Sequence, residues 1–182
     1  RLHRAHPIGT LWSHEETGTG LTFQRDLEVA DWARARGVPW VELVQTGVIR
    51  RLRQRDGWSR RWHARMNRPL LAAPERITAA PVDPQGRRTL AELGHGPLDR
   101  VEQPTGGERA AQATLASFLD ERGQHYRKAM SSPVEGWTAC SRISPHLAWG
   151  SLSMRQAYHA QKRRRAEHKA ARKDKTQKSP GP

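Results

Sequence analysis

The stretch "CSRISPHLAWGSLSMRQ", residues 140–156, carries the local features on which the reading of the chain turns. Cys140, Ser141 and Ser144 are short polar residues suited to a turn, and Pro145 fits the first turn of a helix, where an N–H has no intrahelical partner anyway. The unpartnered N–H groups of such a start favour an anion, most naturally the phosphates of a nucleotide cofactor. Arg142 adds positive charge beside them. Taken alone, the pattern is better read as an ordinary helix start that binds nothing.

Upstream, Ala111, Leu115, Phe118 and Arg122 recur at spacings of four, three and four, with Leu119 beside them, which predicts an amphipathic helix from Glu108. Downstream, residues 155–182 carry ten Lys or Arg against Glu167 and Asp174. So few apolar residues predict an exposed helix with a disordered end. Residues 69–107 are rich in Pro and Gly without a sustained period and read as a long interdomain connection.

The first part of the chain has a different rhythm. "IGTLWS" (8–13) is a short β-friendly run, and a polar turn, "HEETGTG", follows it. "LTFQRDLEVADWARARG" (21–37) predicts a helix capped by Thr22, with Phe23, Leu27 and Ala30 on one face and Gly37 at its end. "VPWVELVQT" (38–46) predicts a second strand. Strand, helix, strand in about forty residues is a βαβ unit, hence a parallel sheet of the doubly wound kind. Residues 48–68 are strongly basic, with eight arginines against Asp56, and are expected to be helical around "DGWSRRWHARMN".

Composition narrows the function. The chain has 182 residues, a formal net charge of +14 and a pI of about 11.3, which point to a polyanionic partner such as nucleic acid. Hydrophobic residues make up only 35%, yet seven of the few aromatics are Trp, so part of the chain builds a core. Core packing is the expected role of Trp137 and Trp149. The lone Cys excludes an internal disulfide and fits a reducing, cytoplasmic setting. No apolar run is long enough for a membrane helix, and the nine His are not spaced with carboxylates as metal ligands are. His14, Glu15 and Glu16, after the first strand, stand where an open α/β sheet binds ligands, although a plain solvated loop is the better reading there.

Several elements now stand in a fixed order: Gly106-Gly107-Glu108 with Ala110, Phe118-Leu119, Tyr126, Pro133, Cys140-Ser141-Arg142-Ile143-Ser144-Pro145-His146-Leu147 and Gly150-Ser151-Leu152-Ser153-Met154-Arg155. This order resembles the start of the flavin-binding domain of DNA photolyases and cryptochromes. Residues 1–68 look similar to the end of that family's α/β antenna domain. The resemblance implies an α/β part followed by an all-α part: 1–68 antenna, 69–107 linker, 108–165 first helices of the FAD-binding domain, 166–182 basic tail.

The same resemblance implies FAD as cofactor, held by Tyr126 and by the turn Cys140, Ser141, Arg142, Ile143 and Ser144, with hydroxyls from Ser141 and Ser144 and backbone N–H groups assisting. It implies UV-damaged DNA as partner, with Arg127 and Lys128 as candidate phosphate contacts, and an antenna chromophore of folate or flavin type near residues 14–16. It also implies a monomer that splits pyrimidine dimers by light-driven electron transfer from reduced FAD, a cofactor carrying the hard step. Cys140 replaces a usual Thr and His146 a usual Tyr; His146 is expected to pack or to lie at the surface. Segments that surround the isoalloxazine are not among the 182 residues, so the chain is expected to be the middle of a longer protein and inactive by itself. Two alternatives stay open. One is a cryptochrome-like blue-light receptor, and the other is a basic, non-catalytic DNA-binding remnant.

Overall fold

A computed structural model describes residues 2–79, 88–96 and 103–177, in which the chain packs as two units: residues 1–58 with 71–100, and residues 59–70 with 101–182. Parts of the expected connection (80–87 and 97–102) and the expected disordered end (178–182) lie outside the described residues. The helix-rich structure with one small parallel sheet agrees with an α/β part followed by helices.

In the first unit a short helix α1 (Leu2–Ala5) precedes strand β1 (Leu11–His14), helix α2 (Gly20–Ala35) and strand β2 (Trp40–Leu43). The strands pair in parallel, Leu11 opposite Trp40 and His14 opposite Leu43, so the expected βαβ unit is present. The ladder continues one bond past β1, where the Glu15 N–H donates to the Leu43 carbonyl at 2.9 Å. Helix α2 starts earlier than expected. Its cap is Thr19, not Thr22: the Thr19 hydroxyl accepts the Thr22 N–H, and the Thr22 hydroxyl accepts the Thr19 N–H at 3.1 Å. Thr22 thus stands in the reciprocal position that Glu or Gln usually fills.

Gly37 ends α2 as expected. With φ +64 it reverses the chain, and the Val38 N–H reaches back to the Ala33 carbonyl at 2.9 Å. Val38 and Ala33 are both buried, which is the apolar contact such a stop brings. The inward stripe of α2 differs from the expected one. Leu27 is exposed, while Asp26 is buried and bonds through one carboxylate oxygen to both Nε and Nη2 of Arg25.

Helix α3 (Trp58–Met66) begins in the first unit, where the Trp58 indole donates to the Gly47 carbonyl at 2.8 Å. Its remainder belongs to the second unit, together with α4 (Glu108–Asp120), a 3₁₀ turn (Arg122–His125), α5 (Tyr126–Ala129), α6 (Glu135–Ala139), α7 (Ser144–Ala148) and α8 (Met154–Gln177). Ala111 and Leu115 on α4 meet Leu152, with Leu119, Ile143, Leu147, Ala157 and Ala160 packed around them. Ala111 and Leu115 of the expected stripe are thus in the core, with Leu119 rather than Phe118 packed against them and residues of the 140–156 stretch closing over them.

Ser153 caps α8 reciprocally with Gln156, hydroxyl to N–H at 3.1 Å and amide oxygen to N–H at 2.7 Å. The first turns of α8 also hold the short segment that follows α3. His159 lies 3.0 Å from the Arg68 carbonyl, Arg155 donates to the Pro69 carbonyl, and Lys162 donates to the Asn67 side chain. Trp62 meets Tyr158 edge to face at 5.4 Å, and Met66 is fully buried. Among the described residues no helix is long and apolar enough to cross a membrane.

Candidate functional site: the 138–145 turn and its arginine

The turn between α6 and α7 takes its shape from a residue far back in the chain. Arg122, just past α4, donates from Nε to the Ser117 hydroxyl at 3.1 Å and from Nη2 to the Thr114 carbonyl at 3.0 Å, both on α4. The rest of its fork reaches the turn: Nη1 to the carbonyls of Thr138 (2.9 Å) and Cys140, and Nη2 to the carbonyl of Ser141 (3.3 Å). A planar guanidinium with five donors can serve these diverging acceptors at once. In the sequence, Arg122 is only a position on the stripe of α4. No signal there marks its role, because its partners are main-chain carbonyls that every residue carries.

Past these carbonyls the backbone changes hand. Arg142 has φ +58, in the left-handed region, and Ile143 follows with φ −88 and ψ −8. Alternation of that kind points successive N–H groups into one concavity, an arrangement that suits anions. Pro145 stands in the first turn of α7, as expected. Among the described residues, the N–H groups of Ser141, Arg142, Ile143 and Ser144 meet no protein acceptor, nor do the hydroxyls of Ser141 and Ser144. The Cys140 N–H is different: it donates to the Gly136 carbonyl at 3.1 Å and is not available to a ligand.

The other sequence-predicted residues fall as follows. The Arg142 guanidinium carbon lies 3.7 Å from the Trp137 ring centroid, so its charge is drawn toward α6. Tyr126 opens α5, partly exposed, with its ring edge to face with Phe118 at 5.9 Å. Arg127 and Lys128 are exposed on α5. Lys128 also lines a cleft of about 460 Å³ with Arg122, His125, Ala129, Glu135, Thr138 and Ala139. His146 is buried, and its carbonyl accepts the Leu152 N–H at 3.2 Å. Trp137 and Trp149 do not pack in the core: Trp137 is half exposed beside Arg142, and Trp149 is 88% exposed.

In the first unit, His14 is exposed at the end of β1. The two glutamates beside it already have cationic neighbours. Glu15 lies 3.6 Å from Arg50, which also bonds Glu42 at 2.8 Å, and Glu16 lies 3.1 Å from Arg25. The Gly18 N–H, with Arg25 adding to it, holds the Glu16 carboxyl below its ordinary range.

No family model matches the chain. It is similar to the deoxyribodipyrimidine photo-lyase of Halobacterium salinarum, with 29% identity over 171 residues that cover 82% of this chain. The chain spans about a third (33%) of that protein's length. The likeness to a photolyase is therefore distant, and it extends over both units rather than one motif.

Proposed function

We propose that the chain is a segment of a photolyase-type DNA-repair flavoprotein, and that residues 140–144 meet the diphosphate of FAD. The carrying observation is the likeness to a photolyase along 82% of the chain. The outward N–H groups of Ser141, Arg142, Ile143 and Ser144 supply donors of the right chemistry for that role. Tyr126 lines the cofactor from α5, while Cys140 gives the turn its position rather than a donor. When bound and reduced, FAD supplies the electron that splits a pyrimidine dimer under light. The protein's part is to bind the cofactor, present the flipped lesion and hold the DNA backbone, with Arg127 and Lys128 as phosphate contacts. The protein works as a monomer in a reducing, cytoplasmic compartment, which the single Cys140 supports. A folate- or flavin-type antenna chromophore belongs to the first unit.

The test is a repair assay on the protein made from the whole reading frame that contains this sequence. Flavin absorbance together with blue-light repair of a thymine-dimer oligonucleotide is the expected result. Flavin without repair would support the cryptochrome-like receptor instead. The 182-residue chain alone is expected to bind FAD weakly and to repair nothing, and tight one-to-one FAD binding by it would overturn that expectation.

A second reading has its own observation. Lys162, Arg165, Lys169 and Lys173 fall on one face of α8 at spacings of three and four, and residues 165–173 are all exposed. They favour a chain that holds nucleic acid by its phosphates alone. Binding to undamaged duplex, falling steeply with salt and indifferent to light and lesions, together with no flavin in the whole protein, would select it.

A further inference from the structure

We infer that Arg122 is the positioning residue of the 140–144 turn, holding its peptide units so that their N–H edges face outward. Its bearing on a ligand rests on the phosphate-cradle reading above, whereas its hold on the turn rests on geometry alone.

A peptide unit is planar, with C=O and N–H on opposite edges. The Cys140 carbonyl shares its plane with the Ser141 N–H, and the Ser141 carbonyl with the Arg142 N–H. Both carbonyls accept from the Arg122 guanidinium, so both N–H groups point away from it. The same guanidinium is anchored on α4 through Thr114 and Ser117, which fixes the direction in which the turn is pulled. The Thr138 carbonyl, taken at 2.9 Å, holds the end of α6 in the same grip.

This grip has something to oppose. Arg142 stands at φ +58, a conformation that costs a non-glycine residue roughly 1–2 kcal/mol. Among the described residues no other donor reaches the Cys140 or Ser141 carbonyl. Without the fork, Arg142 is expected to relax to the ordinary region, turning the Ser141 and Arg142 N–H groups out of the concavity. Lysine does not substitute, because an ammonium radiates three donors from one point and cannot span acceptors on both α4 and the turn. The ligand class follows from the donors: a phosphate or diphosphate group met by main-chain N–H.

The experiment is NMR on the isotope-labelled 182-residue chain and on Arg122→Gln and Arg122→Lys, first without ligand and then titrated with inorganic pyrophosphate. In the parent chain, Arg142 is expected to show the shifts of a left-handed residue, and the amides of residues 141–144 to move with pyrophosphate. In both variants the left-handed signature is expected to vanish while the methyl signals of Leu115 and Leu152 stay in place. Affinity for a turn that is competent a tenth of the time or less falls by about tenfold or more.

A left-handed Arg142 in Arg122→Gln would overturn the inference. If Arg122→Gln fails to fold, Arg122→Lys decides, and retention of signature and affinity there would equally overturn it. A parent chain whose amides ignore pyrophosphate would remove the phosphate-cradle reading, while the ligand-free spectra still decide whether Arg122 holds the turn.

Discussion

The guanidinium carbon of Arg142 lies 3.7 Å from the centre of the Trp137 ring, and both side chains are exposed. That contact bears on one departure from expectation. Trp137 does not join the core because its face is taken by a cation at the surface, an arrangement worth about 0.5–1 kcal/mol at such sites.

Arg142 therefore carries two opposed contributions, a favourable stack and an unfavourable left-handed backbone. Arg142→Ala removes the stack and keeps the backbone cost, whereas Arg142→Gly removes both. The glycine variant is expected to be more stable than the alanine variant by about 1 kcal/mol, measured by urea unfolding. The reverse order would mean that φ at this position is not positive in solution.

Gly123, in the 3₁₀ turn beside Arg122, has no room for a side chain. A Cβ there would lie 2.6 Å from the Phe118 carbonyl oxygen and 3.1 Å from its ring. Gly123→Ala is expected to cost roughly 1–3 kcal/mol, because backbone must move. Gly106→Ala, where nothing lies within 4 Å, serves as control. Equal midpoints for the two variants would contradict the packing of this turn.

Leu152 is 1% exposed and joins the 140–156 stretch to Ala111 and Leu115 of α4. Leu152→Ala is expected to destabilise the second unit by about 2–5 kcal/mol. A loss below about 1 kcal/mol, read by chemical denaturation, would mean that the stretch does not close on α4.

Glu16 and Glu92 are expected to titrate below ordinary glutamates. The Gly18 N–H lowers the first, and the Thr89 N–H and hydroxyl lower the second. A carboxyl whose folded pKa is lowered adds stability that is fully present above its unfolded value, near 4.5, and is lost as pH falls through the folded value. Glu92 is exposed and Glu16 lies half-buried at the surface, so the effect on stability is small and the titration is best followed by carboxyl NMR shifts. In Gly18→Pro, which lacks the N–H, Glu16 is expected to titrate at a higher pH. An unchanged midpoint would disprove the bond.

Much of the local structure is legible in the sequence because its signals act within one turn of chain. Gly37 stops α2, and the spacing of Ala111 and Leu115 marks the inner face of α4, although Leu119 and not Phe118 continues it. The cap of α2 is less legible. Thr19 and Thr22 are equally good caps by type, and only the chain direction before Gly20 decides between them. Leu27 is a core residue by type, yet the inner face of α2 at that level belongs to Asp26, whose paired carboxylate tolerates burial.

From sequence alone came the order strand, helix, strand, the Ser-Arg-x-Ser-Pro turn before α7, and the strong positive charge. Each depends on residue type or on spacings of two to four. Tertiary structure alone decided that Arg122, 16 to 19 residues before the turn, holds its carbonyls, that Trp137 pairs with Arg142 at the surface, and that the Cys140 N–H is already bonded. For the carbonyls and the N–H the physical reason is that these groups are the same at every residue. Which of them meet is set by how the helices pack, and that leaves no mark in the order of side chains. For Trp137 the reason is similar: residue type allows either a core or a surface partner, and only the path of the turn brings Arg142 over its ring.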